Sequence, residues 1–134
     1  MASDRLWEHN SSKKVILDTS GIMMVFEFKI DLENQLRRVL GNFEIVIPSS
    51  VINELNSISK KGKEKKKTYA KLGLSYINNY RTKMTEGKAD DDVLLLAEKY
   101  KGIIVTNDKE IRKKAKKKLI KTIYLRSKKY LVLE

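Results

Sequence analysis

The sequence predicts a three-layer α/β domain with a central, mainly parallel sheet flanked by helices, and three observations carry that prediction. Short β-branched runs, among them "KKVILD" (13–18), "FEIVIP" (43–48) and "GIIVT" (102–106), read as buried strands. Segments with apolar residues at helical spacing separate them, which is the pattern of βαβ units rather than of hairpins. The chain has 134 residues, enough for one domain with one core.

Each element has its own reason. Residues 32–40, "LENQLRRVL", place Leu32, Leu36, Val39 and Leu40 on one helical stripe. The strand at 43–48 closes with Pro48, and Ser49 or Ser50 stands where a cap for the next helix is expected. That helix carries Val51, Ile52, Leu55 and Ile58 on one face, with Glu54 beside the stripe. "KKGKEKKK" (60–67) reads as a basic hinge, followed by a helix with Tyr69, Leu72, Tyr76 and Tyr80 as core residues, despite Gly73. Residues 81–89 form a polar loop with a brief edge strand. A helix from about Asp90 to Tyr100, the 102–106 strand and a helix after Asp108 follow, then "KTIYL" (121–125) and a short last strand in "YLVLE" (130–134). The domain is assigned to 13–134, with 1–12 as a flexible N-terminal segment.

Composition points to the partner. Twenty-nine Lys and Arg against 17 Asp and Glu give a net charge of +12, which favours a polyanion such as RNA. The chain has no Cys, so a thiolate metal site is excluded and a reducing, cytoplasmic setting is expected. No run has the length of a bilayer span, and no membrane partner is expected. The single His, His9, lies in the N-terminal segment and is not expected to be catalytic.

Against this basic background the acids stand out. Asp90, Asp91 and Asp92 are consecutive, and Asp108 follows one helix and one strand later. Asp18 ends the first strand and Glu54 follows the second. In an open α/β sheet these places converge at the carboxyl edge, where ligands bind. Converging carboxylates repel unless a cation screens them. With oxygen ligands alone, the expected ion is hard, Mg²⁺ or Mn²⁺ rather than Zn²⁺. Singly, each acid has a plainer reading. Asp90 and Asp108 suit helix N-caps, Asp18 could close a turn, Glu54 could pair with a lysine, and the lysines could be solvated faces.

The combination of "VILDTS", "VIPSSVINEL", "ADDDVLLLA" and "IIVTNDKEIRKKA" resembles the PIN-domain ribonucleases from about Lys13 to the C-terminus. Within them it is most similar to archaeal relatives of the eukaryotic nuclease that processes small-subunit ribosomal RNA, through "FEFKID", "GKEKKK" and "IYLRSKKYLVLE". VapC-type toxins are more distantly similar. The resemblance implies a metal-dependent endoribonuclease with Asp18, Glu54, Asp90 and Asp108 as catalytic metal ligands. Asp90 is chosen because it precedes Ala97 by seven residues. Asp91 matches a second acid of that branch, Asp92 has no counterpart and is expected in solvent, and Thr106 and Asn107 would line the pocket. Ser20 stands where the family usually has Asn. Lys63, Lys65, Lys66 and Lys67, within basic stretches at 60–71 and 109–121, would contact the RNA backbone. The resemblance also implies a homodimer and either an antitoxin or a ribosome-assembly partner. A PIN-like module that binds RNA without cutting it is the competing class, but it gains nothing from clustered acids.

Overall fold

The computed structural model describes residues 12–134. The segment expected at 1–12, with His9, therefore lies outside the described residues save for Ser12. In chain order the elements are β1 (Lys13–Leu17), α1 (Thr19–Glu27), α2 (Leu32–Leu40), β2 (Phe43–Pro48), α3 (Ser49–Lys61) and α4 (Glu64–Tyr76). After a 3₁₀ turn (Ile77–Asn79) come β3 (Arg81–Lys83), α5 (Ala89–Tyr100), β4 (Ile103–Val105), α6 (Lys109–Lys117), β5 (Thr122–Arg126) and β6 (Tyr130–Leu133).

Six strands form one sheet in the order β3-β2-β1-β4-β5-β6. The first five run parallel, and only β6 is antiparallel, pairing with β5. The expected α/β architecture with a mainly parallel sheet is the one observed. Its central strands carry apolar residues on both faces because helices cover both, which is why they read as continuous β-branched runs. Val15, Ile16, Leu17, Val46, Ile47, Ile104 and Val105 are completely buried. From β1 the chain winds one way to β2 and β3, and from β4 it winds the other way to β5. The β1/β4 boundary is thus the topological switch point, where a crevice opens beyond the strand ends.

Three local expectations are corrected, and one helix is present that was not expected. The helix α1 carries no amphipathic signal in "TSGIMMVFE", because it is apolar around much of its circumference and packs against both α3 and α4. Neither Ser49 nor Ser50 caps α3; Pro48 occupies the cap position, and both hydroxyls bond elsewhere. The basic hinge is shorter than expected, since α4 already begins at Glu64, an acid well matched to the positive end of the helix dipole. Lastly, α4 turns Ala70 and Gly73 inward while Leu72 is 45% exposed, and Tyr76 and Tyr80 pack against the edge of the core, partly buried. Small residues are needed there because α4 lies close against α1: a Cβ at Gly73 would stand 2.8 Å from Ile22 Cγ2.

Two glycines with similar crowding should respond differently to alanine. At Gly21 a Cβ would meet the Val105 carbonyl oxygen at 2.4 Å, backbone at the centre of the sheet that has nowhere to move. At Gly73 it would meet side chains and no backbone, the Ile22 Cγ2 methyl at 2.8 Å and Leu55 Cδ2 at 3.8 Å, and alanine favours a helix interior by about 1 kcal/mol over glycine. Gly21→Ala is expected to lose at least about 2 kcal/mol, and Gly73→Ala to stay within about 1 kcal/mol of the parent. Urea unfolding of the two variants checks the contrast.

Candidate active site at the carboxyl edge of the sheet

Asp18, directly after β1, is 3% exposed. Its carboxylate accepts the Gly21 N–H at 2.7 Å, which caps α1, and the Ser20 hydroxyl at 2.9 and 3.1 Å. A further short bond comes from the Thr106 hydroxyl at the end of β4. Thr106 Oγ1 accepts the Asp108 N–H at 3.0 Å, and Ser20 Oγ accepts the Asn107 N–H at 2.9 Å. Two hydroxyls thus tie the ends of β1 and β4 to a single carboxylate. Ser20, at the position where the resemblance leads one to expect Asn, holds the β4–α6 turn against Asp18. Asp108 caps α6 by accepting the Glu110 N–H at 2.8 Å. Asn107 contributes to the cavity wall, but its side chain is spent on anchoring: its oxygen accepts the Leu125 N–H at 3.0 Å and its amide points at Met24 Sδ, 3.3 Å away.

Asp90 lies in the first turn of α5 and is exposed; Lys88, not Asp90, holds the cap position, so the cap reading of Asp90 fails. Glu54 projects from α3 and is also exposed. Asp18, Glu54, Asp90 and Asp108 all line one cavity of about 440 Å³, together with Ser20, Asn107, Lys66 and a fifth acid that the sequence did not single out, the exposed Glu27 at the end of α1. Burial pushes the Asp18 carboxyl up to about 7, against the pull of its bonds from Thr106, Gly21 and Ser20, and the charge of Asp108 adds to the rise. The Asp90 carboxyl is raised by partial burial and then by Asp108 and Glu54, while Lys114 opposes them. The four acids therefore share one electrostatic field. Among the described residues, no three His, Cys, Asp or Glu side chains stand close enough together to hold a metal ion as placed.

The triplet divides three ways. Asp91 is exposed and lines a second cavity, of about 650 Å³, with Ser50, Asn53, Ser57, Lys88 and Lys114; this cavity shares Glu54 and Asp90 with the first. Asp92, expected in solvent, is instead 4% exposed and accepts the Ser50 hydroxyl at 2.6 Å. Thr85 Oγ1 donates to Ser50 Oγ at 3.2 Å, and the Thr85 N–H donates to Ser49 Oγ at 2.8 Å. Asp92 is thereby the inner end of a polar chain joining α5, the first turn of α3 and the loop after β3. The misreading has a simple cause: Asp92 lies four residues before the buried Leu96 and shares its face of α5, but its side-chain partner, Ser50, is forty-two residues away.

Of the four lysines named from the sequence, Lys66 lines the acid cavity, whereas Lys63 and Lys65 are exposed outside it and Lys67 is half-buried. Lys114 lay unsingled within the 109–121 stretch and faces Asp90 across the second cavity. Thr19, Met23, Met24, Phe28 and Ile58, which also line the first cavity, carried no signal in the sequence beyond apolar character.

A mainly parallel sheet with one buried, one half-buried and two exposed acids at its switch point defines an open α/β protein whose ligand crevice lies at the carboxyl edge of the sheet. Residues 15–128 match the family described as "PIN like domain", and the chain belongs to that family. Over 134 residues it is 33% identical to Ribonuclease VapC9 of Archaeoglobus fulgidus, covering 100% of this chain and 98% of that protein. Over 124 residues it is 37% identical to Ribonuclease VapC4 of Methanocaldococcus jannaschii, covering 87% of this chain and 93% of that one. Among solved structures, the PIN domain endonuclease Utp24 superposes with a TM-score of 0.73 at 22% identity, with 90% of each chain covered. A domain of a functionally unknown protein from Methanocaldococcus jannaschii gives 0.61 at 19% identity.

Two measurements test this edge. Asp92→Ala leaves the Ser50 hydroxyl buried without its acceptor and is expected to cost about 1–3 kcal/mol, whereas Asp91→Ala should change stability by less than about 0.5 kcal/mol. Denaturant titration of both variants decides whether Asp92 is a structural acid. The second concerns pH. Since the folded Asp18 carboxyl titrates near 7 and the unfolded one near 3.8, the folded chain keeps a proton that the unfolded chain has released. Stability from this group is complete below the lower value and is lost as pH rises through the upper one. In chelator, the parent should lose stability between about pH 4 and pH 7 and level off above, and Asp18→Asn, which cannot ionise, should flatten that slope in urea midpoints.

Proposed function

We propose that this chain is a divalent-metal-dependent endoribonuclease that hydrolyses RNA phosphodiester bonds. The observation that carries the reading is the convergence of Asp18, Glu54, Asp90 and Asp108 on one cavity at the switch point of a chain with net charge +12. Ribonuclease relatives that span nearly the whole chain support it. The donor set suits a hard cation: every donor is an oxygen, and the Asp18 and Asp90 carboxyls, raised first by burial and then further by neighbouring negative charge, would be held ionised by a dication. Mg²⁺ or Mn²⁺ would be held by Asp18, Asp90 and Asp108 with help from Glu54. When bound, such an ion lowers the pKa of a coordinated water and offsets charge at the phosphate.

The chain's own residues do the rest. Ser20 and Thr106 fix the Asp18 carboxylate and the Asp108 backbone, so these acids are held before substrate arrives. Glu54 and Asp90 can accept a proton from the attacking water. Hydrolysis breaks the bond from phosphorus to the 3′ oxygen, leaving a 3′ hydroxyl and a 5′ phosphate. Lys66 and Lys114, at the borders of the two cavities, meet the backbone phosphates to either side. The VapC-named relatives, at 33% and 37% identity, favour a role as a VapC-type ribonuclease with an antitoxin as partner, acting in the cytoplasm. A role in ribosomal RNA processing rests on the connecting segments, and the likeness to Utp24 adds the fold alone. A homodimer remains part of this reading.

Asp90→Asn removes a ligand without removing a cap, because Lys88 holds the cap position. Cleavage of RNA in Mn²⁺ should fall by at least about a hundredfold. Thermal stability in chelator should be unchanged or slightly higher, since one member of a repelling group is gone. An Asp90→Asn protein that cuts RNA at the parent rate would defeat the site assignment.

A further inference from the structure

The cavity that holds the four acids has a lining that neither a cation nor a phosphate requires. Met23, Met24, Phe28 and Ile58 share it with Asp18, Glu54, Asp90 and Asp108. Met23, Phe28 and Ile58 are only partly buried, so their apolar surface is open to an occupant. Met24 is already engaged by the Asn107 amide through its sulfur. Two polar side chains share this wall: Glu27, exposed at the end of α1, and Thr19, at the start of α1, whose hydroxyl is buried with no hydrogen bond. A buried hydroxyl left unpaired is costly, and this one could both donate and accept.

We propose that this part of the cavity is a nucleobase subsite, in which the base beside the scissile phosphate lies against Met23, Phe28 and Ile58 and is hydrogen-bonded by Thr19 Oγ1. The inference rests on the nuclease reading and adds to it what the active site recognises. Apolar and aromatic surface with one convergent polar group is the chemistry of a base-sized ligand site. Ring and thioether contacts hold a base of any identity, and the Thr19 hydroxyl, after rotation about χ1, reaches for its edge. Continuity fixes the occupant: a strand with a phosphate at the acids must carry the adjoining base into the same cavity, and Lys66 on that cavity's wall suits the next phosphate. A base held this way is unstacked, so a paired nucleotide must first be extruded and duplex RNA is cut more slowly than the same strand alone.

The test uses a short single-stranded RNA with one abasic nucleotide walked along it. Cleavage is measured with the parent in Mn²⁺, and binding by fluorescence anisotropy with Asp90→Asn so that the RNA is not consumed. One abasic position should lower both binding and kcat/KM by about tenfold or more, while the others stay within about twofold. Phe28→Ala should weaken intact RNA at that position by a similar factor and erase the abasic difference, with Phe28→Leu in between. The abasic series needs no variant, so poor folding of Phe28→Ala does not blunt it. Abasic RNA bound and cut like intact RNA at every position overturns the subsite, as would occupation of this wall by a partner protein's side chain. Cleavage without base dependence removes the subsite and leaves the nuclease. Base-dependent binding without cleavage does the reverse.

Discussion

The structure turns on one carboxylate buried between two parallel strands. Asp18 leaves β1 where β4 begins to diverge from it, and its backbone N–H still reaches the Val105 carbonyl at 3.3 Å. Its side chain then collects the Gly21 N–H and the hydroxyls of Ser20 and Thr106. Close approach is needed for this, and Gly21 permits it by having no Cβ to strike Val105. A charge held at 3% exposure is unfavourable for the folded chain, as its raised carboxyl testifies. Structures tolerate such a group where its placement serves a site, and stability is supplied elsewhere, here by a sheet whose central strands are wholly buried.

A second polar anchor sits on the other side of the cavity. Asp92, Ser50, Thr85 and Ser49 form one line of hydrogen bonds through α5, the start of α3 and the loop after β3. Glu54 is one helical turn along from Ser50, and Asp90 is two residues before Asp92. The network therefore sets the separation of two exposed acids without touching either. The two anchors use the same chemistry, hydroxyls donating to a buried carboxylate, for which charge-assisted bonds are about twice as strong as neutral ones. Between them the functional acids face open space. This division explains how acids that repel one another are held in place, with Lys66 and Lys114 nearby on the cavity walls.

Charge on the larger scale works in the opposite sense. A net +12 draws a polyanion to the surface, while the cavity itself is acidic. A phosphate entering the cavity would meet like charge, which is the repulsion that a cation would offset on the proposed reading. Lys66 and Lys114 mark the borders where the sign changes. The apolar lining from α1 and α3 supplies the third kind of surface, one that distinguishes a nucleotide from any other phosphate.

Much of this was legible in the sequence. Short continuous β-branched runs alternating with apolar residues at helical spacing, in a chain of one-domain length, were enough to determine the parallel α/β architecture, because strands covered on both faces must be continuously apolar. The placement of Asp18 and Asp108 after strands also followed, since strand ends are marked by local composition. What tertiary structure alone decided are the roles that depend on distant partners. Asp92 looks like its exposed neighbours until Ser50, forty-two residues earlier, is brought to it. Ser49 and Ser50 look like caps until Thr85 claims them. The helix α1 has no readable period because it is buried on several sides, and Gly73 looks like a flaw until α4 is seen packed against Ile22. Local patterns record which face a residue must bury; they carry no record of what will be waiting on that face.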